Sequence, residues 1–109
     1  MWSWRKVGAL LLLGAGTAFS RDLAQAENLY KQTDFEGSLR LLDKQSSSAA
    51  EVFLIGRNHF MQGDFKKATD YIQKAAALAP ANSEYMDWLG RTYGKRAETS
   101  NILAAPGFA

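Results

Sequence analysis

Apolar side chains recur at steps of three and four residues in two consecutive stretches of the chain, residues 49–62 and 65–79. This spacing puts the apolar side chains on one face of a helix, so it predicts a helix A and a helix B. Gly63 suits the left-handed backbone that follows many helices, and Asp64 can cap helix B. Pro80 stops helix B. The predicted buried residues are Val52, Ile55, Gly56 and His59 in helix A, and Ala68, Tyr71, Ile72, Ala75 and Leu78 in helix B.

This helix pair is one of three similar segments. The first segment matches the second when Asp34 is aligned with Asp64, and the third matches the second when Gly90 is aligned with Gly56. A single helix pair cannot bury its own apolar face, whereas stacked copies bury each other's faces. We therefore expect helical repeats over residues 21–96. The predicted boundaries are 21–48, 49–82 and 83–96 for the repeats and 97–109 for an irregular or incomplete C-terminal segment.

Small residues mark the place where helices A and B are expected to cross. Gly56 and Ala68 should face each other there, because only small side chains let two helix backbones approach closely. A glycine inside a helix costs about 1 kcal/mol relative to alanine, so we interpret both Gly56 and Gly90 as packing residues. Asn82 or Ser83 is expected to cap the helix that contains Gly90.

Together these features resemble the tetratricopeptide repeat family, whose period of about 34 residues matches the spacing from Gly56 to Gly90. The resemblance covers about residues 21–96 and implies an all-α, antiparallel helix-hairpin solenoid of about two and a half repeats. There are two departures from the family pattern: His59 stands where the family usually has tyrosine, and the first copy is about four residues short. The matching residues are Ile55, Gly56, Ala68, Ala75 and Pro80 in the second copy, and Leu89, Gly90 and Tyr93 in the third.

Residues 1–20 have the pattern of a secretory signal peptide. Arg5 and Lys6 precede an apolar run of about 13 residues, which is too short to span a bilayer comfortably, and small residues follow. We therefore expect an exported protein of bacterial type, located in the periplasm or secreted. The alternative is an uncleaved anchor in the inner membrane, formed by residues 5–20.

Two regions are open as the site of signal cleavage. One is after Ala18 or Ser20, and the other is after Ala26, where Ala24 and Ala26 give the small-x-small form. We favour the earlier region because the later cut would remove half of the first predicted helix.

The rest of the chain has balanced charge and little candidate chemistry. The chain has 13 Lys and Arg residues against 11 Asp and Glu residues, and Arg5 and Lys6 account for the difference. A neutral domain lacks the field that attracts nucleic acid. The chain contains no cysteine and a single histidine, His59, which we interpret as a packed ring rather than a catalytic or metal-binding group. We therefore expect no enzyme activity, no cofactor and no metal site.

The family resemblance implies that a protein or peptide binds in the concave groove lined by the A helices. Arg57 and Arg91 are one repeat apart and are expected to lie in a row, where a partner carboxylate can bridge them. The alternative is that both arginines pair with neighbouring acids such as Asp87. The predicted groove residues are Tyr30, Lys31, Phe53, Arg57, Phe60, Met61, Asp87, Arg91 and Lys95.

The sequence thus leads to the hypothesis of a non-catalytic protein–protein interaction scaffold. Two alternatives remain open: a membrane-anchored assembly factor that retains its N-terminal segment, and the docking domain of a longer enzyme. Solenoids need a polar capping helix at their ends, and none is evident after residue 96. We therefore expect either that the chain is an N-terminal fragment or that a partner, such as another copy, covers the third repeat.

Overall fold

The computed structural model describes residues 21–104, and its regular structure in that range is helical without a strand. The all-α prediction is confirmed. The predicted signal peptide, residues 1–20, lies outside the described residues. Within the described range, no helix is long and apolar enough to cross a membrane. The helices are α1 (described over residues 21–31), α2 (Phe35–Arg40), α3 (Ala49–Met61), α4 (Phe65–Leu78) and α5 (Ser83–Ala104).

The chain divides into two compact units, of which the first ends at Leu42. This unit contains the α1–α2 hairpin, whose turn puts Thr33 in the left-handed region with φ of 63°. The next residue, Asp34, caps α2 because its Oδ1 accepts a hydrogen bond from the Gly37 N–H at 2.9 Å. Helix α2 is only six residues long, as the shortened first copy in the sequence suggested.

A pair of small residues lies at the centre of the first hairpin. Ala26 of α1 and Ser38 of α2 are both fully buried. The Ser38 hydroxyl donates a hydrogen bond to the Ala26 carbonyl oxygen at 2.8 Å. When the first copy is aligned with the second, Ala26 corresponds to Gly56 and Ser38 to Ala68. The first hairpin therefore has small residues at both aligned positions and joins them by a buried hydrogen bond.

The second unit begins at Asp43 and contains the α3–α4 hairpin and α5. Gly63 has φ of 81°, and the Asp64 Oδ1 accepts from the Lys67 N–H at 3.1 Å, so both turn predictions are confirmed. Helix α3 ends one residue before the predicted Gln62, and α4 ends one residue before the predicted Ala79. The α3–α4 turn thus follows from local sequence alone.

Most of the predicted buried face is confirmed. Val52, Ala68, Ile72 and Ala75 are fully buried and belong to one hydrophobic cluster. Leu78, predicted to be buried, is 44% exposed. That prediction is wrong because Leu78 is the last residue of α4, where a side chain needs a neighbour beyond the hairpin to be covered.

The packing role of Gly56 is confirmed, but its neighbour differs from the predicted one. A Cβ added at Gly56 would lie 2.5 Å from Ile72 Cγ1 and 3.2 Å from the Ile72 backbone nitrogen. Helix α4 therefore approaches Gly56 at Ile72, one turn after Ala68. The same interpretation is wrong for Gly90, where an added Cβ would meet no atom within 4 Å in the described part of the chain. The reason is that no described helix follows α5.

Helix α5 is longer than predicted. Asn82 caps it, since the Tyr85 N–H donates to Asn82 Oδ1 at 3.2 Å. The sequence predicted an irregular or incomplete segment over residues 97–109, and within the described range α5 continues to Ala104. The continuation is consistent with the local sequence, because residues 97–104 contain neither glycine nor proline and a Lys95–Glu98 salt bridge of 3.4 Å spans the predicted boundary. Residues 105–109 lie outside the described range.

Candidate partner-binding surface on helices α3 and α5

A cluster of aromatic rings joins α3 to α5. The ring centroid of Phe53 lies 4.3 Å from that of Tyr85 and 6.0 Å from that of Trp88. Phe60, two turns further along α3, meets Trp88 edge-on at 5.2 Å. Phe53 and Tyr85 are buried, while Phe60 and Trp88 are half-buried. The two helices are therefore joined by aromatic contacts that remain partly open to solvent.

Each of the two predicted arginines lies over one ring of this aromatic cluster. The guanidinium carbon of Arg57 is 4.8 Å from the centroid of the Phe53 ring, and that of Arg91 is 4.8 Å from the Trp88 ring. Guanidinium groups stack favourably on aromatic faces, and this contact restricts their orientation. Because Phe53 and Trp88 touch each other, the aromatic pair links the two arginines.

The predicted alternative was that both arginines pair with neighbouring acids such as Asp87, and for Arg91 this pairing is not seen in the described structure. Asp87 is exposed, and no salt bridge joins it to Arg91 within residues 21–104. Arg91 is also exposed. Its N–H groups that do not face the ring are therefore accessible to a carboxylate from outside.

The remaining predicted groove residues are placed in different ways. Met61 is 49% exposed at the end of α3. Lys95 is exposed but forms the salt bridge with Glu98. Tyr30 and Lys31 belong to the first unit, where Tyr30 makes an edge-to-face contact with Phe35 at 5.8 Å. Within the second unit, the described geometry brings together Phe53, Arg57, Phe60 and Arg91 around Trp88.

Trp88 is the residue that sequence reasoning missed. The Trp88 ring contacts Phe53 and Phe60, and the Arg91 guanidinium lies over it. Tyr85, on the same face of α5, is 7% exposed. A signal for it exists in the sequence, because Tyr85, Trp88 and Thr92 recur at steps of three and four and form a second face of α5. Tyr85 and Trp88 of that face contact α3, whereas a Cβ added at Gly90, on another face, would meet no atom within 4 Å in the described residues.

The single histidine lies in the hairpin rather than on this surface. The His59 ring stacks on Tyr71 with centroids 5.5 Å apart and planes at 16°. Burial lowers the pKa of His59 below its ordinary value of 6.5; the Asp64 carboxylate opposes this, while Lys67 and Lys44 add to it. The structure therefore favours a neutral packed ring. In the described residues, no group of three or more His, Cys, Asp or Glu side chains is placed to hold a metal ion.

An open cleft of about 540 Å³ lies elsewhere, between the α3–α4 turn and the C-terminal half of α5. None of the predicted groove residues lines it. Six of its eight lining residues have polar or charged side chains. The cleft is lined by Gln62, Gly63, Asp64, Phe65, Lys66, Arg96, Thr99 and Ser100.

Comparison with known families agrees with the geometry of the α3–α4 hairpin. A family model described as Tetratricopeptide repeat matches residues 49–82, the span that contains α3 and α4. Residues 49–82 are therefore similar to one tetratricopeptide repeat, and this similarity agrees with the all-helical structure of residues 21–104. Neither the curated proteins nor the solved structures gave a match to the chain. Tetratricopeptide repeats generally mediate protein–protein interaction and are typically non-catalytic.

Proposed function

We propose that this protein is a non-catalytic scaffold that binds an extended peptide segment of a partner along α3 and α5. The observation that supports the proposal is the linked pair of stacked arginines, Arg57 on Phe53 and Arg91 on Trp88, each at 4.8 Å. An acidic side chain of the peptide is proposed to accept hydrogen bonds from both guanidinium groups.

The chemistry of the two arginines suits this task. A guanidinium that stacks on a ring through its face still offers N–H donors at its edge, and these match the two oxygens of a carboxylate. Stacking also reduces the orientational freedom that a partner would otherwise have to remove on binding. Exposed Met61, on the same helix as Arg57, adds apolar contact area for the rest of the peptide.

We also propose that the protein acts outside the cytoplasm, after export. The support is the signal-peptide pattern of residues 1–20. A cut near residue 20 is compatible with the first hairpin, whereas a cut after Ala26 would remove the helical segment whose carbonyl accepts the Ser38 hydrogen bond. N-terminal sequencing of the protein from its native host tests this proposal. An intact N-terminus would favour the alternative of a membrane-anchored assembly factor.

Peptide binding is tested with an array of immobilised extended peptides, made in pairs that differ only by glutamate or glutamine at the central position. The wild-type chain should prefer the glutamate members. Arg57→Gln combined with Arg91→Gln should weaken the binding of those members by roughly tenfold or more, because charge-assisted hydrogen bonds are lost. Lys66→Gln with Arg96→Gln is the matched control, since it removes the same charge from the open cleft instead.

The outcomes separate a specific site from general attraction. If both double variants lost peptide binding equally, the effect would come from net charge alone. Equal binding of the glutamate and glutamine peptides by the wild-type chain would contradict the proposed carboxylate site.

A further inference from the structure

The open cleft beside the α3–α4 turn brings together positive charges from two helices of the second unit. Lys66 of α4 and Arg96 of α5 both line the cleft, and both are exposed. Neither of them forms a salt bridge with any residue in the range 21–104, whereas the adjacent Lys67 and Lys95 each have a carboxylate partner. The cleft therefore holds two cations that lack a paired carboxylate in the described part of the chain.

One acidic residue also lines the cleft, but its carboxylate is engaged by a different lysine. The Asp64 Oδ1 accepts a hydrogen bond from the Lys67 N–H at 3.1 Å, and the Asp64 Oδ2 lies 4.0 Å from the Lys67 Nζ. Counting Lys66, Lys67 and Arg96 against Asp64 leaves a net charge of +2 at the cleft. A ligand with about two negative charges would balance this charge.

Neutral hydrogen-bonding groups complete the lining of the cleft. Gln62 and Ser100 belong to it, and neither side chain makes a hydrogen bond to another described residue. The Thr99 hydroxyl differs, because it already donates to the Lys95 carbonyl oxygen at 2.9 Å within α5. The residues that remain able to donate thus offer a guanidinium, an ammonium, an amide and a hydroxyl group.

This combination of charge and donors matches a phosphate monoester better than a carboxylate. A phosphate monoester carries roughly −1.5 to −2 charges at pH 7 and has three strong acceptor oxygens. A guanidinium group binds two such oxygens side by side, while an ammonium group acts as a point charge beside them. A carboxylate has one charge and two oxygens, so it would leave one cation of the cleft unbalanced.

We infer that the cleft binds the phosphate group of a phosphate monoester between Lys66 and Arg96, with Gln62 and Ser100 as further donors. The cleft volume of about 540 Å³ leaves room for a small polar molecule attached to the phosphate. A soluble phosphate ester and a lipid headgroup present the same chemistry. The inference does not rest on the proposed function, because neither Arg57 nor Arg91 lines the cleft.

The test is an NMR titration of the full chain with glycerol 3-phosphate, with glycerol as the matched ligand that lacks the phosphate. Constant ionic strength keeps general screening equal throughout. We expect saturable shifts of the backbone amides of the cleft residues with glycerol 3-phosphate and none with glycerol. Lys66→Gln combined with Arg96→Gln should weaken this binding by roughly tenfold or more, because charge-assisted hydrogen bonds are lost.

A control variant shows whether the binding belongs to the cleft. Arg57→Gln combined with Arg91→Gln removes the same charge from the surface of α3 and α5, so it should bind glycerol 3-phosphate like the wild type. Circular dichroism should show a normal fold for the Lys66 and Arg96 variant, since both side chains are exposed and lack a salt bridge in the described residues. Shifts that do not saturate, or equal weakening in the two double variants, would overturn the inference.

A second measurement distinguishes the two sources of the phosphate. Vesicles of phosphatidylcholine are prepared with and without phosphatidic acid, whose headgroup is a phosphate monoester, and sedimented with the protein. Binding that needs phosphatidic acid, Lys66 and Arg96 would assign the site to a lipid headgroup, and binding of glycerol 3-phosphate alone would assign it to a soluble ester. Absence of binding in both experiments would overturn the inference. Peptide binding by the arginine pair is measured separately on the peptide array, so failure of one proposal leaves the other intact.

Discussion

Gly56 lies against Ile72 so closely that a Cβ at the glycine would be 2.5 Å from Ile72 Cγ1 and 3.2 Å from the Ile72 backbone nitrogen. Side chains can yield, but a helix backbone at this distance cannot move without displacing α4. This contact therefore sets how closely the two helices of the repeat approach.

The first prediction follows from the Gly56–Ile72 contact. Gly56→Leu should lower the free energy of unfolding by at least about 2 kcal/mol, since overpacking a close contact forces helices apart. Gly90→Leu is the matched control at the equivalent position of α5, where no atom of the described residues lies within 4 Å of an added Cβ. It should leave stability unchanged or raise it by up to about 1 kcal/mol through helix propensity. Urea denaturation of the full chain measures both, and equal effects would contradict the packing role of Gly56.

A second prediction concerns the turn of the first hairpin. Thr33 has φ of 63° at the position where the second hairpin has Gly63 with φ of 81°. A β-branched residue pays about 1–2 kcal/mol for left-handed backbone, whereas glycine does not. Thr33→Gly should therefore stabilise the first hairpin by about 1 kcal/mol, and Gly63→Thr should destabilise the second by a similar amount. Amide hydrogen exchange in each hairpin reports the two effects separately. If Thr33→Gly made the amides of the first hairpin exchange faster, the left-handed backbone at Thr33 would not be a source of strain.

The third prediction concerns a buried acid that ties a loop to α3. Glu51 is 5% exposed, and its Oε2 accepts a hydrogen bond from the Asp43 N–H at 2.9 Å. Glu51→Ala leaves that N–H without its acceptor and should cost about 1–3 kcal/mol. Glu51→Gln retains a carbonyl oxygen that can accept, so it should cost less. Thermal unfolding followed by circular dichroism ranks the three proteins, and an alanine variant as stable as the wild type would show that the contact contributes nothing.

The fourth prediction is a pH dependence of stability that comes from His59. Burial lowers the pKa of the folded protein's His59 below the ordinary value of 6.5. As the pH falls through 6.5, the unfolded chain takes up a proton before the folded chain does, so the free energy of unfolding decreases. The loss is complete below the folded pKa, and the full contribution is present above 6.5.

His59→Phe provides the test, because the chain has no other histidine. Denaturation curves between pH 7.5 and about 5 should show a smaller slope of stability against pH in this variant than in the wild type. The phenylalanine also keeps a ring against Tyr71, which limits loss of packing. The same slope in both proteins would mean that other groups cause the dependence.

Helix ends, turns and caps were predictable to within one residue, because each of them depends on a short stretch of the chain. The ends of α3 and α4, the left-handed Gly63 and the caps at Asp64 and Asn82 all depend on hydrogen bonds and backbone preferences within a few positions. The repeat itself was predictable for the same reason, since its periodic spacing of small and apolar residues persists whatever surrounds it.

The candidate site was less predictable, because its geometry depends on contacts between distant residues. The spacing of Arg57 and Arg91 suggested a row, but nothing in their spacing showed that Phe53 and Trp88 lie beneath them. The prediction that Gly90 packs like Gly56 failed because the same residue type in the same register has a neighbour in one helix and none in the other, within the part of the chain that the structure describes.

The sequence by itself therefore determined that the chain is a helical repeat, where the helices of its second copy begin and end, and which residues are small enough for close crossings. Only the tertiary structure decided that Phe53 and Tyr85 enter the core, that Leu78 is exposed, and that one face of α5 is covered while another is open. The physical reason is that helix formation and capping are settled by near neighbours in the chain, whereas burial depends on which other helix arrives at a face.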